Sequence, residues 1–344
     1  MIRIDEIYNN VFLPLVQDQK NKGLHWFDPF GSTDFHNICN IPPIEHGNRW
    51  VFWDQEPVYQ DRSKTFFDKF MPIYGKNSTM TVVTSEYNSA DVKWLCDTYN
   101  LNSAYYFFHG WAALDWYRGY DKTFLNQPKN IKHTFLCPNN IVGGRRQHRL
   151  ELFRELCNRN LIKNNLVSMP ATCPYEGIVV KDYVDCDIEL PLQIDKFDNY
   201  ANDSHRITMW KQAAESLVHV VTETSFYGQK NYLTEKTFKP IVLQQPFVLV
   251  SNQGSLEYLR KYGFETFSNV WDESYDTLPD NQRIAAIGNL LQELEHSNCR
   301  EWLHEQCTPI VEHNYNHFYG GGFERILWEE LQNMLEDIQN DFCI

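Results

Sequence analysis

Residues 218–250 constrain the fold of this chain most strongly, because two apolar runs lie on either side of a polar loop and a helix start. The first run, Leu217 to Val221, ends on Thr222-Glu223-Thr224, and the second extends from Pro246 to Val250. Between them, Thr234-Glu235-Lys236 begins a helical pattern. Open α/β sheets bind ligands at the carboxyl ends of their strands. A helix amino terminus attracts phosphate through its free N–H groups and its dipole. The segment therefore predicts a site for a phosphate-containing ligand.

The same alternation of apolar runs and helical patterns extends along most of the chain, which predicts parallel β-sheet with covering helices. The predicted strands are Arg49–Trp53, Met80–Thr84, Ala104–Phe108, His133–Cys137, Asn165–Met169, Leu217–Thr222 and Pro246–Ser251, with a further strand over Gly263–Phe267. The predicted helices are Asp61–Phe70, a helix capped by Asn88 or Ser89 and ending at Tyr99, Arg146–Asn158, one beginning near Thr234, Ser255–Lys261, Ala285–His296, Glu301–His317 and Phe323–Asp341.

A polar segment, residues 119–131, separates two α/β regions and contains Pro128, so it is the best linker candidate. The expected organisation is an N-terminal acceptor-side domain over 1–125 and a donor-binding domain over 130–320. A C-terminal helix over 323–344 would cross back to the first domain. The expected fold class is α/β, with two Rossmann-like domains.

Three short motifs resemble the donor-binding segment of the α-1,3-fucosyltransferases. Glu223-Thr224-Ser225 is similar to that family's Glu-Asn-Ser-type strand end. Tyr232-Leu233-Thr234-Glu235-Lys236 is similar to its aromatic-Val-Thr-Glu-Lys helix start, and Pro246 to Val250 to the strand that follows. The resemblance implies the two-domain GT-B type of glycosyltransferase. Thr224 stands where the family has Asn, and the loop Phe226–Asn231 is longer.

The resemblance also assigns roles to residues of the helix-start motif. It implies that Glu235 holds the ribose of the donor and that Lys236 holds its diphosphate, with Tyr232 and Thr234 in the same donor-binding motif. GDP-fucose is the donor that the resemblance implies, whereas the residues alone also allow a UDP-linked sugar. Lys239, three residues after Lys236, adds positive charge on the same helix face or is simply solvated.

Arg149 and Glu223 are further donor-site candidates, and each has a structural alternative. By resemblance, Arg149 pairs with the donor diphosphate, since a guanidinium fork can hold two phosphate oxygens. The alternative is a solvated helix face, because Arg145 and Arg146 lie nearby and could take its place. Glu223 is expected either to contact the sugar or base of the donor, or to brace the loop through Thr224 and Ser225.

The strand end Trp53-Asp54-Gln55-Glu56-Pro57 supplies the candidate general base. A carboxylate at such a position can deprotonate an acceptor hydroxyl if its surroundings raise its pKa. Glu56 is the preferred base and Asp54 the second, although Asp54 is equally suited to a turn before Pro57. Glu86 and His109, at the ends of the next two predicted strands, are lower candidates.

Bulk properties narrow the class of protein. The net charge is −14, which disfavours general nucleic-acid binding. The nine cysteines are scattered without a Cys-x-x-Cys pair, a pattern typical of free thiols in a reducing compartment. The N-terminal residues lack a signal-peptide pattern, and no stretch approaches the ~20 apolar residues of a membrane span. We therefore expect a cytoplasmic enzyme of a bacterium or a virus.

Together these features predict a glycosyltransferase that moves a sugar from a nucleoside diphosphate to an acceptor hydroxyl, with inversion. No Asp-x-Asp motif lies in the predicted strands, so neither a metal ion nor another cofactor is expected beyond the nucleotide-sugar co-substrate. The acceptor is either a glycan or a hydroxymethylated base of viral DNA, for which Lys129–Lys163 would supply a basic surface. A catalytically silent module that binds a nucleotide sugar or a glycan is the rival interpretation.

Overall fold

The computed structural model describes residues 24–27, 49–76, 78–119, 125, 129–194, 207–297 and 299–341. These residues form two compact units. The first contains the described residues up to Asp115, the short segment Gln229–Tyr232 and the C-terminal segment from Glu324. The second contains Trp116–Gly228 and Leu233–Phe323.

Among its described residues, the first unit contains a parallel sheet of four strands in the order β1-β2-β3-β4. Its strands are β1 (Leu24–Phe27), β2 (Arg49–Asp54), β3 (Thr79–Thr84) and β4 (Asn102–Tyr105). The helices along this part of the chain are α1 (Gln60–Tyr74), α2 (Ala90–Tyr99) and α3 (Phe108–Arg118).

An aromatic cluster holds α1 against this sheet. Trp50 and Phe52 point from β2 to the helix, where Phe70 meets their rings at centroid distances of 4.9 and 5.2 Å. Edge-to-face pairs of this kind add to the stabilisation from burial alone. At the start of α2, the Ser89 hydroxyl accepts a hydrogen bond from the Val92 N–H, so Ser89 rather than Asn88 is the cap.

The predicted strand Ala104–Phe108 is wrong at its carboxyl end. The strand stops at Tyr105, and Phe108 already begins α3. The Phe108 N–H donates to the Ser85 hydroxyl, which supports the new helix start. A short apolar run does not distinguish a strand from the beginning of a buried helix. His109 therefore lies in the first turn of α3 and not at a strand end.

The second unit contains, among its described residues, a parallel sheet of four strands in the order β6-β5-β7-β8. Its strands are β5 (His133–Cys137), β6 (Leu166–Val167), β7 (Ser216–Thr222) and β8 (Phe247–Val250). Its helices are α4 (His148–Asn158), α5 (Trp210–Glu215), α6 (Glu235–Val242), α7 (Ser255–Lys261), α8 (Asp280–His296) and α9 (Arg300–Tyr319). Two parallel sheets with intervening helices confirm the α/β class.

The strand order places a reversal in the middle of the second sheet. From β5 the chain first moves to β6 on one side, and later places β7 on the other side of β5. The connections on the two sides of such a point diverge and leave a crevice at the carboxyl ends of the strands. Ligands of open α/β sheets bind in this kind of crevice.

The last helix, α10 (Gly322–Asp341), contributes residues from Glu324 onwards to the first unit. There, the Glu330 carboxylate accepts a hydrogen bond of 2.6 Å from the Phe107 N–H, and the Trp328 ring lies 6.4 Å from that of Trp111. Of the helices within the described ranges, none is long and apolar enough to cross a membrane.

The predicted strand over Gly263–Phe267 is wrong, since these residues form no strand. Their aromatic residues instead fill the core between helices. Phe264 packs on Phe323 with ring centroids 4.9 Å apart, and Phe267 stacks on Trp271 at 4.8 Å. The alternating apolar positions therefore reflect side-chain packing and not strand pairing.

Candidate functional site

A cavity of about 220 Å³ lies at the reversal point of the second sheet. One wall follows β5 through Pro138–Ile141, and another follows the end of β7 through His219–Thr222. Basic side chains from two helices, Arg149 of α4 and Lys236 and Lys239 of α6, also line it. The cavity thus combines the strand-end crevice with three cationic residues.

Arg149 is held at the cavity wall by backbone carbonyl groups. Its guanidinium donates to the Ile141 oxygen at 2.7 Å, and to the oxygens of Thr222 and Glu223 at 2.8 and 3.0 Å. The side chain is buried, so the alternative of a solvated helix face is wrong. Arg145 is exposed, which distinguishes it from Arg149.

The positive charge of Arg149 is not balanced by a directly bonded carboxylate. Within the part of the chain that the structure describes, no Asp or Glu oxygen lies within 4 Å of its guanidinium nitrogens, and its buried Nε has no hydrogen-bond partner. Burial, reinforced by the charge of Arg146, lowers the pKa of Arg149 to about 10, so the group is still cationic at neutral pH. A buried cation that only carbonyl oxygens and more distant carboxylates compensate is costly. An anion in the adjacent cavity would remove much of that cost.

Glu223 is fully buried and braces the loop that follows β7. Its Oε1 accepts from the Thr234 N–H at 3.0 Å and from the Thr237 hydroxyl at 2.6 Å. Its Oε2 accepts from the Thr224 N–H at 3.1 Å and from the Thr234 hydroxyl at 2.6 Å. The geometry therefore supports the bracing alternative, while direct contact of Glu223 with a donor stays a prediction.

The start of α6 brings Thr234, Glu235 and Lys236 together, as the helix-start motif predicts. Thr234 is the cap, and its hydroxyl accepts from the Lys236 N–H at 3.4 Å. The Lys236 ammonium group donates to Glu235 Oε1 at 2.9 Å and to the hydroxyls of Thr234 and Thr224 at 3.1 and 3.3 Å. Lys236 is partly exposed and lines the cavity, so its charge can reach a ligand.

A stacked group that the sequence did not indicate supports the loop after β7. The His148 ring stacks on Phe226 with centroids 5.1 Å apart, and its Nε2 lies 3.1 Å from the Glu223 carbonyl oxygen. The Arg283 guanidinium lies 4.4 Å from the centroid of the same Phe226 ring. Burial lowers the pKa of His148 well below its ordinary value, so the ring is neutral. These residues are far apart in sequence, and no short motif could reveal their contact.

Asn139 forms a polar link across the floor of the cavity that sequence reasoning also missed. Its Oδ1 accepts from the Thr222 hydroxyl at 2.8 Å, joining the ends of β5 and β7. The Asn139 N–H donates to the Ser168 hydroxyl at 2.8 Å, which adds the end of β6. The position of Asn139, two residues after the predicted strand His133–Cys137, was the available signal, since such residues meet at one edge of a parallel sheet.

Tyr232, predicted to bind the donor, belongs to the first unit. Its hydroxyl donates to the Gln55 carbonyl oxygen at 2.6 Å and lies 2.6 Å from His109 Nε2. The ring is buried. The helix-start motif is therefore divided between the units, with Tyr232 in the first and Leu233 to Lys236 in the second.

The candidate bases lie in the first unit. Glu56 is exposed in the loop after β2. Asp54 is the last residue of β2, and its side chain is outside the described part of the structure. Glu86 is buried, and its Oε1 lies 2.7 Å from the Lys230 ammonium group. Burial raises the pKa of Glu86, and His109 Nε2 lies 2.6 Å from the Tyr232 hydroxyl, so both groups have bonded partners and stay lower candidates for the base.

No group of three or more His, Cys, Asp or Glu side chains among the described residues is arranged to hold a metal ion. The sequence contains Asp185-Cys186-Asp187, but this segment is not part of a strand. The described cysteines, from Cys96 to Cys307, are free thiols.

Six solved chains match this one, and two of them are the following. One is the DNA-modifying enzyme beta-glucosyltransferase, solved with and without its substrate uridine diphosphoglucose, with a TM-score of 0.43, 10% identity and coverage of 84% of this chain and 74% of that one. The other is T4 phage BGT in complex with its UDP-glucose substrate, with a TM-score of 0.42, 10% identity and coverage of 82% and 73%. Similarity at this level assigns neither an activity nor a substrate to this chain. No protein-family model and no curated protein sequence matches it.

Proposed function

We propose that this chain is a glycosyltransferase that uses a nucleoside diphosphate sugar as donor. The observation that carries the proposal is the buried Arg149 guanidinium, bonded to three carbonyl oxygens at the wall of a cavity that Lys236 and Lys239 also line. The cavity lies at the strand-end crevice where α/β sheets bind nucleotides. The start of α6 adds a helix amino terminus, which favours phosphate.

The cationic cavity suits the chemistry of the leaving group. In the proposed reaction the bond between the anomeric carbon and the diphosphate oxygen breaks, and its electron pair stays on that oxygen. Arg149 and Lys236 would stabilise the charge that develops there. The acceptor hydroxyl forms the new bond to the anomeric carbon from the opposite face, and its proton passes to a carboxylate, for which Glu56 is our first candidate and Asp54 our second. This route inverts the anomeric centre and requires no metal ion.

The acceptor is a glycan or a hydroxymethylated base of DNA. The net charge of −14 disfavours binding to duplex DNA, whereas Lys129–Lys163 is a local basic stretch. A gel shift with hydroxymethylated duplex DNA across a salt series separates these acceptors. Salt-sensitive binding supports DNA, and no shift at low salt supports a glycan.

The rival function is a silent module that binds a nucleotide sugar or glycan without transfer. A buried cation at the cavity wall is equally useful to a binding protein, so the discriminating measurement is turnover. Release of nucleoside diphosphate from the donor, dependent on an acceptor, supports the enzyme. Donor binding without hydrolysis or transfer supports the module.

We expect Lys236→Ala to weaken nucleoside diphosphate binding by about tenfold or more, since a charge-assisted hydrogen bond contributes about 1.5–3 kcal/mol. A thermal-shift screen of UDP, GDP, CDP and ADP with their sugars identifies the nucleotide, because a ligand at 100 times its Kd adds about 2.7 kcal/mol of stability. Calorimetry on the variant then measures the loss.

Lys261→Ala is the matched control, because Lys261 is an exposed lysine of α7 that does not line the cavity. It should leave the affinity unchanged. Equal affinities for wild type and Lys236→Ala would remove Lys236 from the phosphate site.

We expect Glu56→Gln to lower kcat by about 10²-fold or more, the range for loss of a general base. The amide keeps the shape of the side chain but cannot accept the proton. Donor Kd should change only a few-fold, since Glu56 belongs to the first unit and the cationic cavity to the second.

Asp54→Asn serves as the comparison and should have the milder effect. An inactive Asp54→Asn beside an active Glu56→Gln would identify Asp54 as the base. Full turnover in both variants would place the base at another residue.

A further inference from the structure

A second cavity of about 290 Å³ adjoins the cationic one. The two share Pro138, Asn139, Asn140, Ser168 and Met209 in their linings. Among the described residues that line the second cavity, none carries a charged side chain. The prolines 138, 170, 174 and 191 contribute much of its wall, which makes that wall stiff.

Tyr175 stands at the tip of a tight turn beside both cavities. The residue before it, Pro174, lines the uncharged cavity, and Tyr175 itself lines the cationic one. The Gly177 N–H donates to the Cys173 carbonyl oxygen at 3.0 Å, and the Cys173 N–H donates to the Ile178 oxygen at 2.8 Å. These bonds fix the turn while the Tyr175 side chain remains 70% exposed.

The turn is also packed against the loop that follows β5. A Cβ atom on Gly143 would collide with Ile178 and with the Glu176 carboxylate, so the glycine allows this close approach. Against the opposing effect of burial, backbone N–H groups of the same two segments, including those of Val142 and Tyr175, lower the pKa of the Cys173 thiol, so the thiol lies close to both segments. The exposed ring is therefore presented by a rigid support and not by a loose loop.

We propose that the Tyr175 ring stacks on the base of the bound nucleoside diphosphate at the boundary where the two cavities adjoin. The ring covers one face of the base from the cationic cavity, and the uncharged cavity receives the rest of the base and the ribose. This inference rests on the proposed function, since it extends the ligand of the same site. A nucleoside diphosphate has a charged end and a flat, largely uncharged end. The cavities offer the matching pair of environments, cationic at Arg149 and Lys236 and uncharged between the prolines.

An exposed aromatic ring beside a ligand cavity is well suited to stack on a nucleotide base. Every base has a π-face, and loss of one base–aromatic stack weakens binding by about 5- to 100-fold. A tyrosine loses little conformational freedom when it stacks, because its side chain has two rotatable angles. A fixed backbone turn lowers that entropic cost further.

The test is calorimetry with wild type, Tyr175→Ala and Tyr175→Phe, with the tightest nucleoside diphosphate of the screen and inorganic pyrophosphate as probes. Tyr175→Ala should weaken nucleotide binding by about 5- to 100-fold and leave pyrophosphate binding within about twofold. Tyr175→Phe should restore most of the affinity, because the ring is kept. Tyr183→Ala is the matched control, since Tyr183 is an exposed tyrosine of the same unit that lines neither cavity.

The outcomes separate this inference from the proposed function. If Tyr175→Ala binds the nucleotide as tightly as wild type while Lys236→Ala does not, the stacking role is wrong and the donor site stands. If Tyr175→Ala loses pyrophosphate and nucleotide equally, the ring acts on the phosphate site and the base assignment is wrong. If wild type binds neither probe, both proposals are wrong. Because Tyr175 is exposed, the variants should unfold at the wild-type temperature, which a thermal melt verifies.

Discussion

Arg149→Met should lower kcat/KM for sugar transfer by about 10³-fold, because it removes a preorganised cation from the developing charge of the leaving group. The loss should appear both in donor Kd and in the rate of nucleoside diphosphate release. Met keeps much of the side-chain volume, but it cannot donate to the carbonyl oxygens of Ile141, Thr222 and Glu223. Initial rates and calorimetry with the same donor measure the two contributions.

Two further variants control for folding and for the choice of arginine. Arg149→Lys keeps a charge without the planar fork, and should therefore lose less activity than Arg149→Met while remaining well below wild type. Arg145→Met removes an exposed arginine of the same segment and should be nearly neutral. If Arg145→Met is inactive and Arg149→Met is active, then Arg145 binds the diphosphate and our assignment of Arg149 is wrong.

Lys230→Met should reduce the free energy of unfolding by about 3–5 kcal/mol, the usual cost of leaving a buried charge without its partner. The side chain of Lys230 is 3% exposed and that of Glu86 is 0% exposed. The Lys230 ammonium group lies 2.7 Å from carboxylate oxygens of both Glu86 and Asp91, and donates to the Val58 carbonyl at 3.0 Å. Denaturant unfolding followed by circular dichroism measures the effect.

Lys93→Met is the matched control for this ion pair. Lys93 pairs with Asp97 at 2.7 Å, but both side chains are exposed. Exposed pairs contribute about 0–1 kcal/mol, so this variant should unfold close to wild type. Adding Glu86→Gln to Lys230→Met should recover part of the lost stability, because it removes the unpaired charge. A loss below about 1 kcal/mol in Lys230→Met would show that the pair is not coupled to folding.

Sequence patterns could predict the parallel sheets, because strand runs such as Met80–Thr84 and His133–Cys137 are apolar, short and bounded by polar residues. The helix start at Thr234 was also predictable, since a capping hydroxyl precedes an acidic and a basic residue. Both features depend on neighbours in sequence. The predicted strand end at Phe108 was wrong, which shows the limit of prediction from neighbours in sequence. An apolar run gives no sign that the chain turns into a helix there, where Ser85 accepts a hydrogen bond from the Phe108 N–H.

The candidate site was predictable only in part, because some of its contacts join residues that are distant in sequence. Arg149 and Lys236 lie in recognisable local patterns, and both line the cavity. The bracing role of Glu223 depends on Thr234 and Thr237, which return to it after a loop whose path no local pattern encodes. The stack of His148 on Phe226 and the position of Tyr175 depend likewise on contacts between distant segments.

The route of the chain through Gln229–Tyr232 limits how the protein can be divided. These four residues belong to the first unit, while the residues on both sides of them belong to the second. Cutting out residues 116–323 would separate Lys230 and Tyr232 from the residues that bind them. The remaining part of the chain would keep Glu86 without its cation. Exchanging residues 116–323 as one block would therefore disturb the buried ion pair of the first unit. Under the proposed function, donor specificity is expected to change through positions such as Tyr175, which lie outside Gln229–Tyr232.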